Sequence, residues 1–354
     1  MDKKTKQFLV DIVNAVSPTG YEQETQKVYM RYMKDVADEI RTDSHGNVMA
    51  ILNPGAKTRV MLAGHCDELG FQISYVDDDG FLYFLPLGGH DQGLVPGRRV
   101  TIHAAQGPVP GVIGKKPIHM MTDEERKAPS EIKKLWIDIG ARKKARALEL
   151  VQIGDPVTYN EQFAELEGGL AVARGFDDKI GVFSIGHALR LLKGKKLAVA
   201  VFAVSTVQEE IGLRGAHTSA FGIDPQVGIA VDVTFATDFP SMEKKEVGDI
   251  KIGGGPALTR GPNVSPVVFE RLVKAATEDK IPYQVHAANR GTGTDANAIQ
   301  LTRAGVATGL VSVPNRYMHT PAELIALDDA ENVSRLLAAF ITRLTGKENW
   351  NVVQ

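Results

Sequence analysis

Along the first forty residues the apolar positions recur at helical spacing. Phe8, Leu9, Ile12, Val13 and Val16 fall on one side of a helix that should stop where Pro18 and Gly20 interrupt the chain. A second helix should begin near Glu22, with Val28, Tyr29, Tyr32, Met33 and Val36 as its buried stripe. The period then changes. NVMAIL (47–52) and RVMLAG (59–64) are near-continuous apolar runs separated by an NPGAK turn, and read as strands. From residue 71 come short β-rich pieces, FQISYV, FLYFLP, RVTIHA and PGVIG, cut by Gly, Pro and the acidic turn DDDG at 77–80. The charged stretch TDEERKAPSEIKK reads as a solvated loop, and the β texture resumes through VQIGDPVTY (151–159). Beyond 166, strand and helix alternate: a helix over 179–192, strands at LAVAVFAVS and VGIAVDV, a helix at SPVVFERLVKAATED, a strand at VATGLVSV and a last helix over 328–346.

Such alternation implies a largely parallel sheet covered by helices on both faces. The fold class is therefore α/β, with one domain formed by residues 1–70 and 166–354 and a small β-domain, 71–165, inserted into it. No internal repeat or low-complexity tract interrupts this plan.

Composition removes several function classes. In 354 residues, Lys plus Arg number 41 against 43 Asp plus Glu, so no basic field draws the chain to nucleic acid or an anionic membrane. With 43% hydrophobic residues it should fold as a soluble globule. A single cysteine, Cys66, excludes an internal disulfide framework and suits a reducing compartment. The amino-terminal segment lacks a signal peptide's apolar core, and no run approaches the ~18 apolar residues of a membrane span. A cytoplasmic protein is expected.

The four apolar strands of the α/β part end in similar ways. RVMLAG leads into His65, Cys66, Asp67 and Glu68; LAVAVFAVS leads to Glu209 and Glu210; VGIAV ends at Asp232; VATGLVSV leads to His319. Ligands of open α/β sheets bind outside the carboxyl ends of the strands, so these groups can share one crevice. Asp177 and Asp178, after a Gly-containing turn and before a helix, are further candidates. Taken singly, adjacent acids usually mark a solvated helix start, and a lone histidine or aspartate is usually structural. Their conjunction after core strands is harder to explain that way. Two histidines with several carboxylates suit a pair of divalent metals sharing a bridging carboxylate, which can polarise a carbonyl and hold a hydroxide at neutral pH. An acid left over beside such a pair can carry the proton from water to a leaving amine. Alternation turns Cys66 away from its neighbours, as a small buried hydrophobe. His90, His103, His187 and His217 lack this context.

The segments AGHCDELG (63–70), RGFDDKIG (174–181), VQEEIGLRGA (207–216), VDVT (231–234), GTGTDANAI (291–299) and YMHTPAEL (317–324) together resemble the signatures of the tetrahedral, dodecameric aminopeptidases. These are dinuclear metallopeptidases, some labelled glutamyl aminopeptidase or endoglucanase. The resemblance covers essentially the whole chain. It implies a zinc-peptidase-like mixed sheet with an inserted β-barrel-like domain that serves oligomerisation. By the same resemblance His65 and Asp232 hold one metal, Glu210 and His319 the other, and Asp177 bridges them; Glu209 is the general base and acid, Asp67 orients His65, and a cis peptide joins Asp177 to Asp178. The chain departs at Lys179, where arginine is common, which touches only a local ion pair.

The expected function is metal-dependent removal of N-terminal residues from peptides by attack of a metal-bridging hydroxide, with two divalent ions per subunit, zinc foremost and cobalt or manganese chemically reasonable. Peptides and further copies of the chain, as a homo-oligomer that the resemblance makes a dodecamer, are the expected partners. Two rivals stand beside it. A glycoside hydrolase using two carboxylates would leave the histidines without a purpose and would have only 2 Trp for sugar stacking. A non-enzymatic, metal-stabilised binding protein would have a closed site and no need of a spare acid such as Glu209.

Overall fold

The computed structural model describes residues 1–353. At its centre lie four parallel strands in the order Ala200–Thr206, Arg59–His65, Val227–Phe235 and Ala307–Arg316. These are the four apolar runs whose ends carry the candidate chemistry. Their shared direction brings those ends to one edge of the sheet. Antiparallel strands extend both flanks: Val48–Leu52 and Glu39–Thr42 on one side, Glu323–Ala326, Leu170–Ala173 and Ala164–Leu166 on the other. The sheet is thus mixed, with a parallel core.

Because both faces of the central strands are covered, successive residues enter different cores. Val60 and Leu62 join Phe8, Phe183 and Leu336 beneath the helices Lys3–Asn14, Phe176–Leu192 and Leu327–Thr342. Met61 and Ala63 join Ala216, Ile223 and Ile299 on the opposite side. Cys66 belongs to the first core and is fully buried. Asp177 and Asp178 have non-helical backbone angles, so the regular turns of the Phe176–Leu192 helix begin at Lys179, as the spacing predicts. This helix lies close on the sheet: a Cβ on Gly64 would sit 2.6 Å from the carbonyl carbon of Gly181, which only glycine avoids. Phe183, 0% exposed, packs the helix against Phe8 of the first helix, their ring centroids 5.6 Å apart. Its replacement by Ala is expected to cost about 3–5 kcal/mol, read as a lower midpoint in urea at unchanged slope; an unshifted midpoint would remove Phe183 from the core.

Residues 70–159 supply a second body. Six antiparallel strands close into a barrel in the order Gly70–Val76, Leu82–Leu87, Trp136–Asp138, Gly107–Gly114, Arg99–Ala104 and Pro156–Tyr159. Phe71, Ile73, Val100, Ile102, Ile113 and Val157 form a core of its own. Closure removes the unpaired edges that separate hairpins would leave.

Two local expectations are corrected. TDEERKAPSEIKK is exposed but is not a plain loop: Asp123–Lys127 form a short helix because the Thr122 hydroxyl accepts the Glu125 N–H while the Glu125 carboxylate accepts the Thr122 N–H. The last helix ends at Thr342 rather than 346, since the Glu348 carboxylate captures the N–H groups of Thr345 and Gly346 and the chain turns through Gly346 at φ +76°. Among the described residues no helix is long and apolar enough to cross a membrane.

Candidate active site

His65 ends its strand, Glu209 and Glu210 follow three and four residues after Thr206, Asp232 lies within its strand, and His319 follows the strand that ends at Arg316. Asp177 enters from the start of the long helix. The structure brings all of them, with Asp67, to the carboxyl edge of the parallel strands.

Asp177 occupies the middle. Its Oδ1 is 3.1 Å from His65 Nε2 and its Oδ2 is 3.2 Å from His319 Nε2, so one carboxylate faces both imidazoles. Glu210 Oε1 is 3.8 Å from His319 Nε2, and Glu209 Oε2 is 3.8 Å from His65 Nε2. Ligand atoms of His65, Asp177 and Glu210 lie within 4.8 Å of one another, as do those of His65, Asp178 and Asp232. Asp178 is engaged otherwise: its two oxygens accept the N–H groups of His65 at 3.1 Å and Gly181 at 3.0 Å. The peptide bond between Asp177 and Asp178 is cis.

Asp67 holds three of these groups. Its carboxylate accepts the N–H of Glu209 at 3.0 Å and of Glu210 at 3.1 Å, and the Thr19 hydroxyl at 2.9 Å. Its backbone carbonyl lies 3.1 Å from His65 Nδ1. A carbonyl only accepts, so Nδ1 carries a proton. Burial opposes a charge on the ring, but Glu209, Asp177 and Asp67 raise His65 well above the ordinary imidazole value, so Nε2 donates to Asp177 as well, a proton it would give up to an ion bound there. The strand Glu323–Ala326 contributes Glu323, which accepts the N–H of Asp177.

The charges set the chemistry. Burial, and then Asp177, pushes Glu210 up to about 8; burial with the same neighbour does so for Asp232, against the pull of His65. Glu209 is pushed up to about 11 by burial and by Asp232, Asp295 and Glu210, again against His65. Asp177 is the exception. Burial acts to raise it, yet the hydrogen bonds to His319 and His65 hold it below the usual carboxylate range. His319 is raised to about 9, first by its bond to Asp177. So many acids crowded around two imidazoles are under-neutralised by protein cations, and Glu210 Oε1 is buried with no hydrogen-bond partner. The donor set of imidazole nitrogens and carboxylate oxygens fits divalent ions.

A cavity of about 460 Å³ opens onto these groups, walled by Phe235, Met318 and the 291–294 segment of the GTGTDA loop. A larger groove, about 1170 Å³, lies at the opposite end of the strands near Gln226 and Thr308 and contains none of the candidate groups. The barrel also reaches the site: a Cβ on Gly88, at φ +79°, would lie 2.3 Å from Leu69 Cδ2 and 3.4 Å from Glu210 Oε2.

Lys179 does make an ion pair. It is fully buried, 2.7 Å from Glu68 Oε1, and donates to the carbonyls of Val13 and Ala15, while Arg174 approaches Glu68 Oε2 at 3.1 Å. Glu68 is read from the sequence only as a group at a strand end and Glu323 only as part of the YMHTPAEL segment, since nothing in the pattern shows which distant partners an acid will meet. Asp295 is a third such group: buried behind Glu209, it accepts the Thr206 hydroxyl at 2.5 Å, and its other oxygen has no partner.

The chain is similar to known aminopeptidases over nearly its whole length. The lysyl aminopeptidase of Pyrococcus furiosus is 34% identical over 96% of this chain and 97% of its own. A solved aminopeptidase of the TET type from Thaumarchaeota archaeon SCGC AB-539-E09 superposes with a TM-score of 0.92 at 35% identity, covering 96% of each chain. The Pyrococcus horikoshii TET1 peptidase, described as assembling into a tetrahedron or a large octahedral shell, does so at 0.86 and 31% identity, over 96% of this chain and all of that one. Residues 46–336, which hold every one of the imidazoles and carboxylates described above, match the model of the M42 glutamyl aminopeptidases, and the chain belongs to that family.

Proposed function

We propose that the protein is a dinuclear metallo-aminopeptidase that releases N-terminal residues from peptides. His65 and Asp232 would hold one ion, Glu210 and His319 the other, and Asp177 would serve both, with zinc the first choice and cobalt or manganese compatible with the same donors. Two ions so held would polarise the scissile carbonyl and lower the pKa of water between them. The observation that carries the reading is Glu209: 8% exposed, beside His65 but outside the Asp177–His319 pairing, with its backbone fixed by Asp67. Burial and the neighbouring acids push Glu209 up; with divalent ions held beside it that repulsion would be offset, and its Oε2 could accept a proton and return it to the leaving amine. Asp67 fixes the His65 tautomer and the Glu209–Glu210 turn together. The remaining acids and the open cavity accommodate a free α-amine and the first side chain. A closed, purely structural metal site would not need that cavity, and a glycosidase would not need the two imidazoles.

The barrel carries none of the proposed ligands. We assign the barrel, residues 70–159, to subunit assembly and the body built on the mixed sheet to catalysis, the subunits forming a homo-oligomer of dodecameric type. Support comes from the shell described for the Pyrococcus horikoshii relative and from Tyr75, Leu85, Ile118, Met120 and Ile153, apolar and exposed on the barrel span. One buried cysteine accords with a cytoplasmic setting.

The test is hydrolysis of an aminoacyl chromogenic substrate before and after chelation. Activity should vanish with the metal and return on adding zinc, cobalt or manganese. Activity indifferent to thorough chelation would sink the metallopeptidase reading.

A further inference from the structure

The geometry points to Glu323 as a positioning residue that sets the spacing of Asp177 and His319, and thereby selectively determines the affinity of the ion that Glu210 and His319 share; this rests on the dinuclear reading above.

Glu323 is 2% exposed. Its Oε2 accepts the N–H of Asp177 at 2.9 Å, and its Oε1 accepts the N–H of His319 at 3.1 Å. One carboxylate therefore ties together the backbones of two candidate ligands that lie 142 positions apart (319 − 177) in the chain. The bond to Asp177 is buried and that to His319 partly so; an ionised Glu323 makes both charge-assisted.

The sheet explains why this acid, and no other, can do it. Glu323 opens the strand Glu323–Ala326, which lies between Leu170–Ala173 and Ala307–Arg316. Its register sets Glu323 opposite Ala173, and Leu324 opposite Arg316. Ala173 is the last strand residue before the turn to Asp177, and Arg316 the last before the turn to His319. Glu323 thus stands where the two ligand-bearing turns leave the sheet.

Both turns need holding. His319 has φ +62° and Tyr317 φ +65°, left-handed values that disfavour residues with side chains. The N–H that Glu323 captures is the one at this left-handed residue. On the other side, Gly175 has φ +64°, and Asp177 and Asp178 depart from helical angles. Glu68, with Arg174 and Lys179, fastens that turn from behind. Without Glu323 nothing else among the described residues binds the Asp177 N–H, and the His319 turn loses the bond at its left-handed centre.

The consequence is unequal for the two ions. His65 is held by Asp67 and Asp178, independently of Glu323. His319 depends on Glu323, and its side chain is 41% exposed, so little packing replaces the bond. Loosening Asp177 touches both ions, but only the ion shared by Glu210 and His319 also loses the hold on its imidazole, so that ion weakens more.

Zinc binding by equilibrium dialysis, with metal counted per chain, tests this on the intact protein. Wild type should take up two ions. Glu323→Gln keeps the shape but offers one accepting oxygen and turns an N–H₂ toward a backbone N–H. It should bind one zinc only slightly less well than wild type does and the other about 10–100-fold more weakly, the range for groups that orient metal ligands. Glu323→Asp retains the charge but is too short to span both N–H groups, and should fall between the two. In a His319→Ala background, Glu323→Gln should add little further loss, because both changes act on the same ion. Unchanged affinity for both ions in Glu323→Gln, equal weakening of both, or full additivity with His319→Ala would overturn the assignment. Uptake of fewer than two ions by wild type would instead remove the dinuclear reading, and the proposal with it.

Discussion

Glu209→Gln is expected to leave metal content unchanged while lowering turnover by about two to four orders of magnitude, the contribution of a positioned proton carrier. The substitution preserves size and removes only the ability to take up and return a proton. Glu209 is held by its backbone N–H on Asp67 and lies 3.8 Å from His65 Nε2, whereas Asp177, between the imidazoles, makes the closer contacts at 3.1 and 3.2 Å. Glu210 stands at the other imidazole, with its buried Oε1 unpartnered and 3.8 Å from His319. On the proposed reading Glu210, whose ligand atom lies within 4.8 Å of those of His65 and Asp177, would hold a metal, and Glu209, outside that group, would carry the proton. Stoichiometric loss of metal from Glu209→Gln would mean that the two roles are exchanged.

The second large effect concerns Asp177. Its replacement by Ala should remove more metal than loss of His65, Glu210, Asp232 or His319 alone, since its two oxygens face opposite imidazoles. Burial acts to raise its carboxyl, yet like that of Asp67 it is held below the usual carboxylate range, here by hydrogen bonds to both histidines. An anion at that point is needed by either ion, so its removal should abolish activity together with metal binding. Metal analysis across the five alanine variants decides the matter. Full occupancy in Asp177→Ala would contradict the shared-ligand assignment.

The parts of this site that the sequence makes legible are those that end long apolar strands. Arg59–His65, Ala200–Thr206, Val227–Phe235 and Ala307–Arg316 each bury both faces, so their apolar runs stand out and the polar residues after them read as a common edge. The flanks were less legible. Glu323–Ala326 and Leu170–Ala173 are four residues each, too short for a period to show, and their antiparallel pairing is fixed by partners far along the chain. Glu323 shares that obscurity: an acid opening a short strand gains meaning only when the fold brings the Asp177 and His319 N–H groups to it. The 123–127 helix hid for the opposite reason, since its signal, Thr122 with Glu125, is purely local and lies inside a charged, exposed stretch.

The central claim is that the site trims peptides from a free amino end. An α-amine, with an unperturbed pKa of roughly 7.7 to 8.0, is either a cation that buried acids attract or, deprotonated, a metal ligand. Anchoring it would set the first peptide carbonyl within reach of Glu209, so that binding at the amine positions the reacting bond. An acetyl cap removes that charge and adds bulk where the chain should end. The decisive measurement is mass spectrometry of matched short peptides, free and N-acetylated, incubated with the metal-loaded protein. The free peptide should shorten one residue at a time while the capped one persists; comparable cleavage of the capped peptide, or internal fragments appearing first, would contradict the account.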